Sequence, residues 1–236
     1  MKSNEQASID NPRRKFLGTF ATGVAAFGLS SLAAPFKGHA GVNLEGPGNE
    51  AEEWFKKIQG KHRIVFDVPE PNGIFPFAWP RIFLATNEAT GTPAKDLNAV
   101  VILRHNAIPY AFEDRLWAKY DFNAVFKVID PKTGKATNKN PFWQPKQGDY
   151  KVPGLGAVPI GLNELQDSGV MFGVCNMAIT VYSAVMADIV KKDPEEVKKD
   201  WISGILPGVQ LLPSGVWGLN RAGERMLLYF CWIENR

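Results

Sequence analysis

The stretch Gly169–Ile179 reads GVMFGVCNMAI, an apolar run that closes on Cys175 and passes through Asn176 into residues at helical spacing. A short continuous apolar run bounded by a glycine and a helix reads as a strand covered on both faces, the kind found in parallel sheets. A thiol therefore stands where a buried strand hands over to a helix. The same grammar repeats on either side. RIVFDV (63–68), bounded by Pro69 and Pro71, reads as a first central strand, and FAWPRIFLATNEAT puts Phe77, Ile82, Phe83 and Leu84 on one helical face. NAVVILRH (98–105) reads as the next strand and residues 107–120 as a helix, with Ala111, Leu116 and Trp117 in step.

Downstream, GLNELQDSG gives a short helix, and residues 177–191 a longer one with Ala178, Val181, Ala184, Val185 and Val190 facing inwards. A further helix opens on Asp193 as N-cap, with Pro194 at its first position and Glu195 and Glu196 at the positive end of the dipole. VQLLPSG is a strand running into a helix over 215–224, and MLLYFCWI closes the chain as a strand. Five strands alternating with helices imply an α/β fold with parallel strands. Between Asp130 and Pro159 the sequence turns to Pro, Gly, Lys and Asn, and reads as a surface insertion. Its Phe142 and Trp143 suggest a lid or an oligomer contact, and a solvated insertion is the alternative.

The N-terminus, NPRRKFLGTFATGVAAFGLSSLAAPFKGHA, couples Arg13 and Arg14 to a moderately apolar run broken by Gly, Thr and Ser. That is the pattern of a twin-arginine signal peptide spanning 1–40, with an A-x-A-like cleavage site after Ala40, export of the folded chain to the periplasm, and a domain over 41–236. The run is too interrupted for a stable transmembrane anchor, so no membrane insertion is expected after cleavage. Removing five of the 27 basic residues and two of the 24 acidic ones leaves 22 of each sign. The pI of about 8.8 thus belongs to the signal, and no basic patch survives to bind nucleic acid. Cys175 and Cys231 are the only cysteines, too few for a disulfide scaffold or a zinc pattern, and no C-x-x-C-H attaches a haem. No metal is expected. Gly154, Gly156 and Gly215 form no dinucleotide fingerprint, so no cofactor is expected either.

Three segments together, LRHNAIPYAFEDRLWAKY (103–120), LQDSGVMFGVCNMAI (165–179) and LLPSGVWGLNRAGER (211–225), resemble the exported, twin-arginine branch of the DsrE/DsrF-like proteins. The resemblance covers most of the mature chain in order. It implies a three-layer α/β sandwich with a five-stranded, mainly parallel open sheet, assembled as a homo-oligomer. It also implies sulfur relay: a sulfurtransferase or sulfur carrier holding sulfane sulfur as a persulfide on Cys175, with a small sulfur compound or a partner-protein thiol as the other party. The 130–159 insertion and the His105 segment depart from the sulfur-relay members, which puts that role in question. The other implied reading is a non-catalytic small-ligand-binding or assembly module of the same fold.

Read from its own chemistry, Cys175 at a strand's carboxyl end beneath a helix N-terminus is placed for a stabilised thiolate at the ligand crevice of an open sheet, or else fills a core gap. Asn176 stands beside it. Arg104 and His105 end the second strand on the same rim and suit an anion or a thiol proton, although Arg104 has Glu113 and Asp114 as alternative partners. Ser214 and Gly215 open the last helix as an N-cap with free N–H groups, a seat for an anion or a simple cap. Cys231 alternates with Tyr229 and Ile233 and reads as core; whether it pairs with Cys175 stays open.

Overall fold

The computed structural model describes residues 47–225 and the strand Leu228–Cys231; the expected signal peptide lies outside them. In chain order, α1 (Pro47–Phe55) precedes β1 (His62–Val68), α2 (Phe75–Ala89) and β2 (Leu97–Leu103). A 3-10 stretch (His105–Ala111) leads to α3 (Asp114–Lys119) and α4 (Phe122–Phe126). Two small hairpins follow, β3 (Ile129–Asp130) with β4 (Lys135–Ala136) and β5 (Lys151–Val152) with β6 (Gly156–Ala157). The chain continues through α5 (Leu162–Asp167), β7 (Met171–Cys175), α6 (Asn176–Val190), α7 (Pro194–Ser203), β8 (Val209–Leu212), α8 (Gly215–Arg225) and β9 (Leu228–Cys231).

The fold is α/β, built on a parallel open sheet in which β1, β2, β7 and β8 lie side by side, with the backbone of β9 adding a fifth parallel strand at the free edge of β1. The three connections from β1 to β8 step in one direction, and the fourth returns to the far side of β1. Right-handed crossovers require the return to use the opposite face. The cores divide accordingly. Ala99, Val101, Leu103, Phe172 and Val174 bury against residues of α2, α5, α6 and α7, whereas Val65, Val100, Ile102 and Leu212 bury against α1 and α8. The last helix lies close to the sheet because β7 and α8 both offer glycine there. A Cβ on Gly173 or on Gly218 would come within 2.6 Å of Leu212 Cδ1, so one leucine side chain fills the space that both glycines leave.

Several sequence expectations change. Strand β2 stops at Leu103 rather than His105, because His105 takes a left-handed backbone (φ 49°) that no strand accommodates. The helix expected over 107–120 is a 3-10 stretch and a short α-helix, separated by extended Phe112, which bridges to Ile205; Pro109 supplies no N–H to continue an α-helix. In α6 the buried residues are Ile179, Tyr182, Ser183, Met186 and Ala187, not the Ala/Val set read from periodicity. The hydroxyls of Tyr182 and Ser183 have hydrogen-bond acceptors, which removes the cost of turning polar side chains inwards.

Part of the 130–159 segment is packed into the core while the rest lies at the surface. Phe142 is fully buried, stacked between Phe77 (4.1 Å) and Tyr150 (5.2 Å), and Trp143 packs against the same core. Asn140 fastens the turn by donating to the carbonyls of Tyr110 and Phe112. Arg81 of α2 holds the far end through Pro159 O (2.8 Å) and Ser168 Oγ (2.9 Å). Phe142 is therefore core and no oligomer contact.

On the α3–α7 surface, Asp200 accepts from Arg115 and Lys119 (2.7 Å each) and from the Tyr120 hydroxyl (2.6 Å). Partial burial would raise its carboxyl pKa, but the hydrogen bonds from Lys119, Tyr120 and Arg115 outweigh that and hold it at about 2. A carboxylate depressed on folding stabilises the protein above its unfolded pKa and loses that contribution as pH falls through the folded value. Asp200→Asn is accordingly expected to be less stable than the parent at neutral pH, with the gap between their melting temperatures narrowing from pH 4 to pH 2. A gap that is constant over that window would contradict the assignment.

Candidate functional site

Parallel pairing brings the carboxyl ends of β1, β2, β7 and β8 to one rim. The register pairs Val68 with Leu103, Leu103 with Val174 and Cys175 with Leu212. Arg104 and Cys175 are thus the next residues on adjacent strands, which run about 4.8 Å apart. The connections leaving β7 and β8 pass to opposite faces of the sheet, which makes the seam between these two strands the topological switch point, where open sheets bind ligands. Cys175, the last residue of β7, lies at that seam.

Cys175 does end its strand under a helix start. It is the N-cap of α6, and its Sγ accepts the backbone N–H of Ala178 at 3.2 Å. The residue is 7% exposed and belongs to the larger core cluster. Beside it, Asn176 Oδ1 is a buried acceptor with no hydrogen-bond partner among the described residues. Cys231 aligns with Asp67 in the β1–β9 register, while its side chain lies outside the described residues.

Arg104 is engaged by a residue that sequence reading passed over. Its Nε and one terminal nitrogen donate to the two oxygens of Asp67 at 2.6 and 2.8 Å, and the Asp67 side chain has no exposure. The Arg104 stem lies against Gly215, where a Cβ would approach its own Cβ to 2.6 Å. Glycine at the start of α8 thus lets the helix sit on the guanidinium arm. Ser214 caps that helix, its Oγ accepting the Trp217 N–H at 3.1 Å. Glu113 and Asp114, the alternative partners read for Arg104, are engaged elsewhere: Glu113 pairs with Arg115, and Asp114 accepts the Asn140 N–H. The structure therefore brings Gly215, which follows the Ser214 cap, against the Arg104 arm that Asp67 holds, and Cys175 comes next to Arg104 in the strand register. A lone carboxylate within the otherwise apolar IVFDV (64–68) was the signal that could have found Asp67, because a buried charge demands a partner.

His105 belongs to a separate chain of hydrogen bonds. Its Nδ1 lies 2.7 Å from the Tyr182 hydroxyl; Tyr182 donates to Asn106 Oδ1; Asn106 Nδ2 donates to both Glu70 oxygens at 2.9 and 2.8 Å. Burial, with the charge of Glu70 adding to it, pushes the Tyr182 hydroxyl well above the usual phenol range, so it keeps its proton. Glu70 and Asp67 also line a cavity of about 20 Å³ at the end of β1, with Asn72, Phe75 and Trp79. Glu70, Asn106 and Tyr182 were not singled out from sequence, since none belongs to a motif. Among the described residues no group of three His, Cys, Asp or Glu side chains is disposed to hold a metal, and no helix is long and apolar enough to cross a membrane.

No protein-family model matches the chain, and no curated protein matches it in sequence.

The buried pair gives a direct test of rim architecture. Arg104→Ala removes the guanidinium that faces a buried carboxylate and should cost about 3 kcal/mol in urea unfolding, whereas the double change Asp67→Leu with Arg104→Met should recover most of that loss. Equal destabilisation by both variants would show that the pair does not organise the rim as described.

Proposed function

We propose that this is a sulfur-handling protein in which Cys175 takes up sulfane sulfur as a persulfide and passes it to a thiol. The observation that supports the reading is the strand-to-helix position of Cys175, with its Sγ accepting the Ala178 N–H. A thiolate is the nucleophile in this chemistry, and a helix N-terminus favours negative charge on sulfur. The unpartnered Asn176 Oδ1 next to it offers an acceptor for a protonated ligand group. The loading step balances with thiosulfate as donor. Cys175 thiolate attacks the outer sulfur, a new S–S bond forms, the S–S bond of thiosulfate breaks, and sulfite leaves with the electron pair. The resemblance to DsrE/DsrF-like proteins points the same way and carries with it a homo-oligomer, and the Arg13-Arg14 pattern supports a periplasmic setting.

A second reading, a binding or assembly module in which Cys175 is packing, is favoured by one observation: the residue is only 7% exposed. Mass spectrometry separates the two. After incubation with thiosulfate, the Cys175 peptide should gain about 32 Da, the mass of one sulfur atom. Cys175→Ser should lose the adduct and remain folded by circular dichroism, as serine is nearly isosteric and caps a helix well. A native protein whose Cys175 neither gains sulfur nor alkylates until denatured supports the second reading instead.

A further inference from the structure

The relay that ends on His105 fixes where its proton sits. The Glu70 carboxylate can only accept, so the Asn106 group facing it is the amide nitrogen, and Oδ1 faces Tyr182. Tyr182 has one proton and commits it to Asn106 Oδ1. Its oxygen is left to accept, and the contact with His105 Nδ1 at 2.7 Å requires Nδ1 to carry the hydrogen. In neutral His105 the bare lone pair is then on Nε2. The side chain is 48% exposed, and Nε2 stands 3.9 Å from Glu70 Oε1. His105 is held at φ 49°, one of five non-glycine residues with positive φ among those described.

We propose that His105 is the proton acceptor of the rim, with Nε2 kept bare by the Glu70–Asn106–Tyr182 relay, and that it serves the thiol which receives sulfur from Cys175; the last part rests on the sulfur reading above. His105 Nε2 takes the proton of the incoming thiol. The resulting thiolate attacks the outer sulfur of the Cys175 persulfide, which has taken a proton from solvent after loading; the S–S bond to Cys175 breaks, Cys175 departs as thiolate, and the proton on His105 passes to solvent. The titratable groups facing His105 among the described residues are Glu70, from the loop after β1, and Tyr182, from α6. Arg104, its neighbour in the chain, is bound to Asp67. Glu70, Asn106 and Tyr182 are positioning residues.

The test has a spectroscopic arm and a kinetic arm. In the full mature chain labelled with nitrogen-15, long-range correlations of neutral His105 should show hydrogen on Nδ1 and none on Nε2. Tyr182→Phe should move it to Nε2, where Glu70 is the remaining acceptor. Hydrogen on Nε2 in the parent protein overturns the relay. For the kinetic arm, protein loaded with thiosulfate is discharged to free cysteine and the loss of the sulfur adduct is followed. His105→Gln should slow discharge on the order of 100-fold at pH 7. It should come within a few-fold of the parent at pH 9.5, where the cysteine thiol, with a pKa of about 8.5, ionises unaided. Equal rates at pH 7, or the same slowing at both pH values, overturn the proton-acceptor role. If Cys175 never loads, the sulfur reading falls and the assigned ligand falls with it, while the tautomer still decides the relay.

Discussion

The buried carboxylate of Asp67 is the constraint around which the rim is organised. A charge without solvent exposure at the end of a central strand is tolerable only if a cation is brought to it in good geometry. Arg104 meets that need with two parallel hydrogen bonds, and in doing so fixes the end of β2 beside the end of β1. The arginine stem then sets the height at which α8 can start, which is why glycine stands at Gly215. One ion pair thus couples two strand ends and the first turn of the return helix. The guanidinium is spent on this structural duty, so an anion at the rim must look to other groups.

Those other groups fall into two sets. Cys175 and Asn176 occupy the junction of β7 and α6, where a helix N–H is directed at sulfur. Glu70, Asn106, Tyr182 and His105 form a directional chain that links the loop after β1, the 3-10 stretch after β2 and the second turn of α6. Helix α6 belongs to both sets. Cys175 caps it, and Tyr182 lies seven residues further along, roughly 10 Å up the axis and back on the same face. The helix that receives the thiol at its start therefore also carries the hydroxyl that orients the histidine. A strand-to-helix thiol and a tautomer-locked imidazole share one rim because every parallel strand must end there.

Much of the fold was legible in the sequence. The strands at 63–68, 171–175 and 209–212, the Asp193–Pro194 helix start and the Ser214 cap all follow from local chemistry that the structure retains. Periodicity failed where polar groups find partners far away. It assigned the Ala/Val face of α6 to the core because it scores apolarity, and it has no means of knowing that the Tyr182 hydroxyl is satisfied by residues 76 and 77 positions earlier. It offered Phe142 to a lid or an oligomer contact because its partners Phe77 and Tyr150 are distant in the chain, although the three rings stack in space. The left-handed turn at His105 was invisible for a related reason: glycine is the usual signal of such a turn, and a single histidine inside an apolar run does not announce one. In the candidate site, Cys175, Arg104 and His105 were legible as a rim; their partners Asp67, Glu70, Asn106 and Tyr182 were not, being set by tertiary contacts alone.

The central claim is that Cys175 is a sulfur acceptor at the rim rather than a packing thiol. A crystal structure of the mature chain after a thiosulfate soak tests it most directly. The account predicts electron density for one additional sulfur bonded to Cys175 Sγ, with the Ala178 N–H still directed at the cysteine and the outer atom at the rim. An unmodified Sγ enclosed by core side chains, in crystals that hold thiosulfate elsewhere, would contradict it.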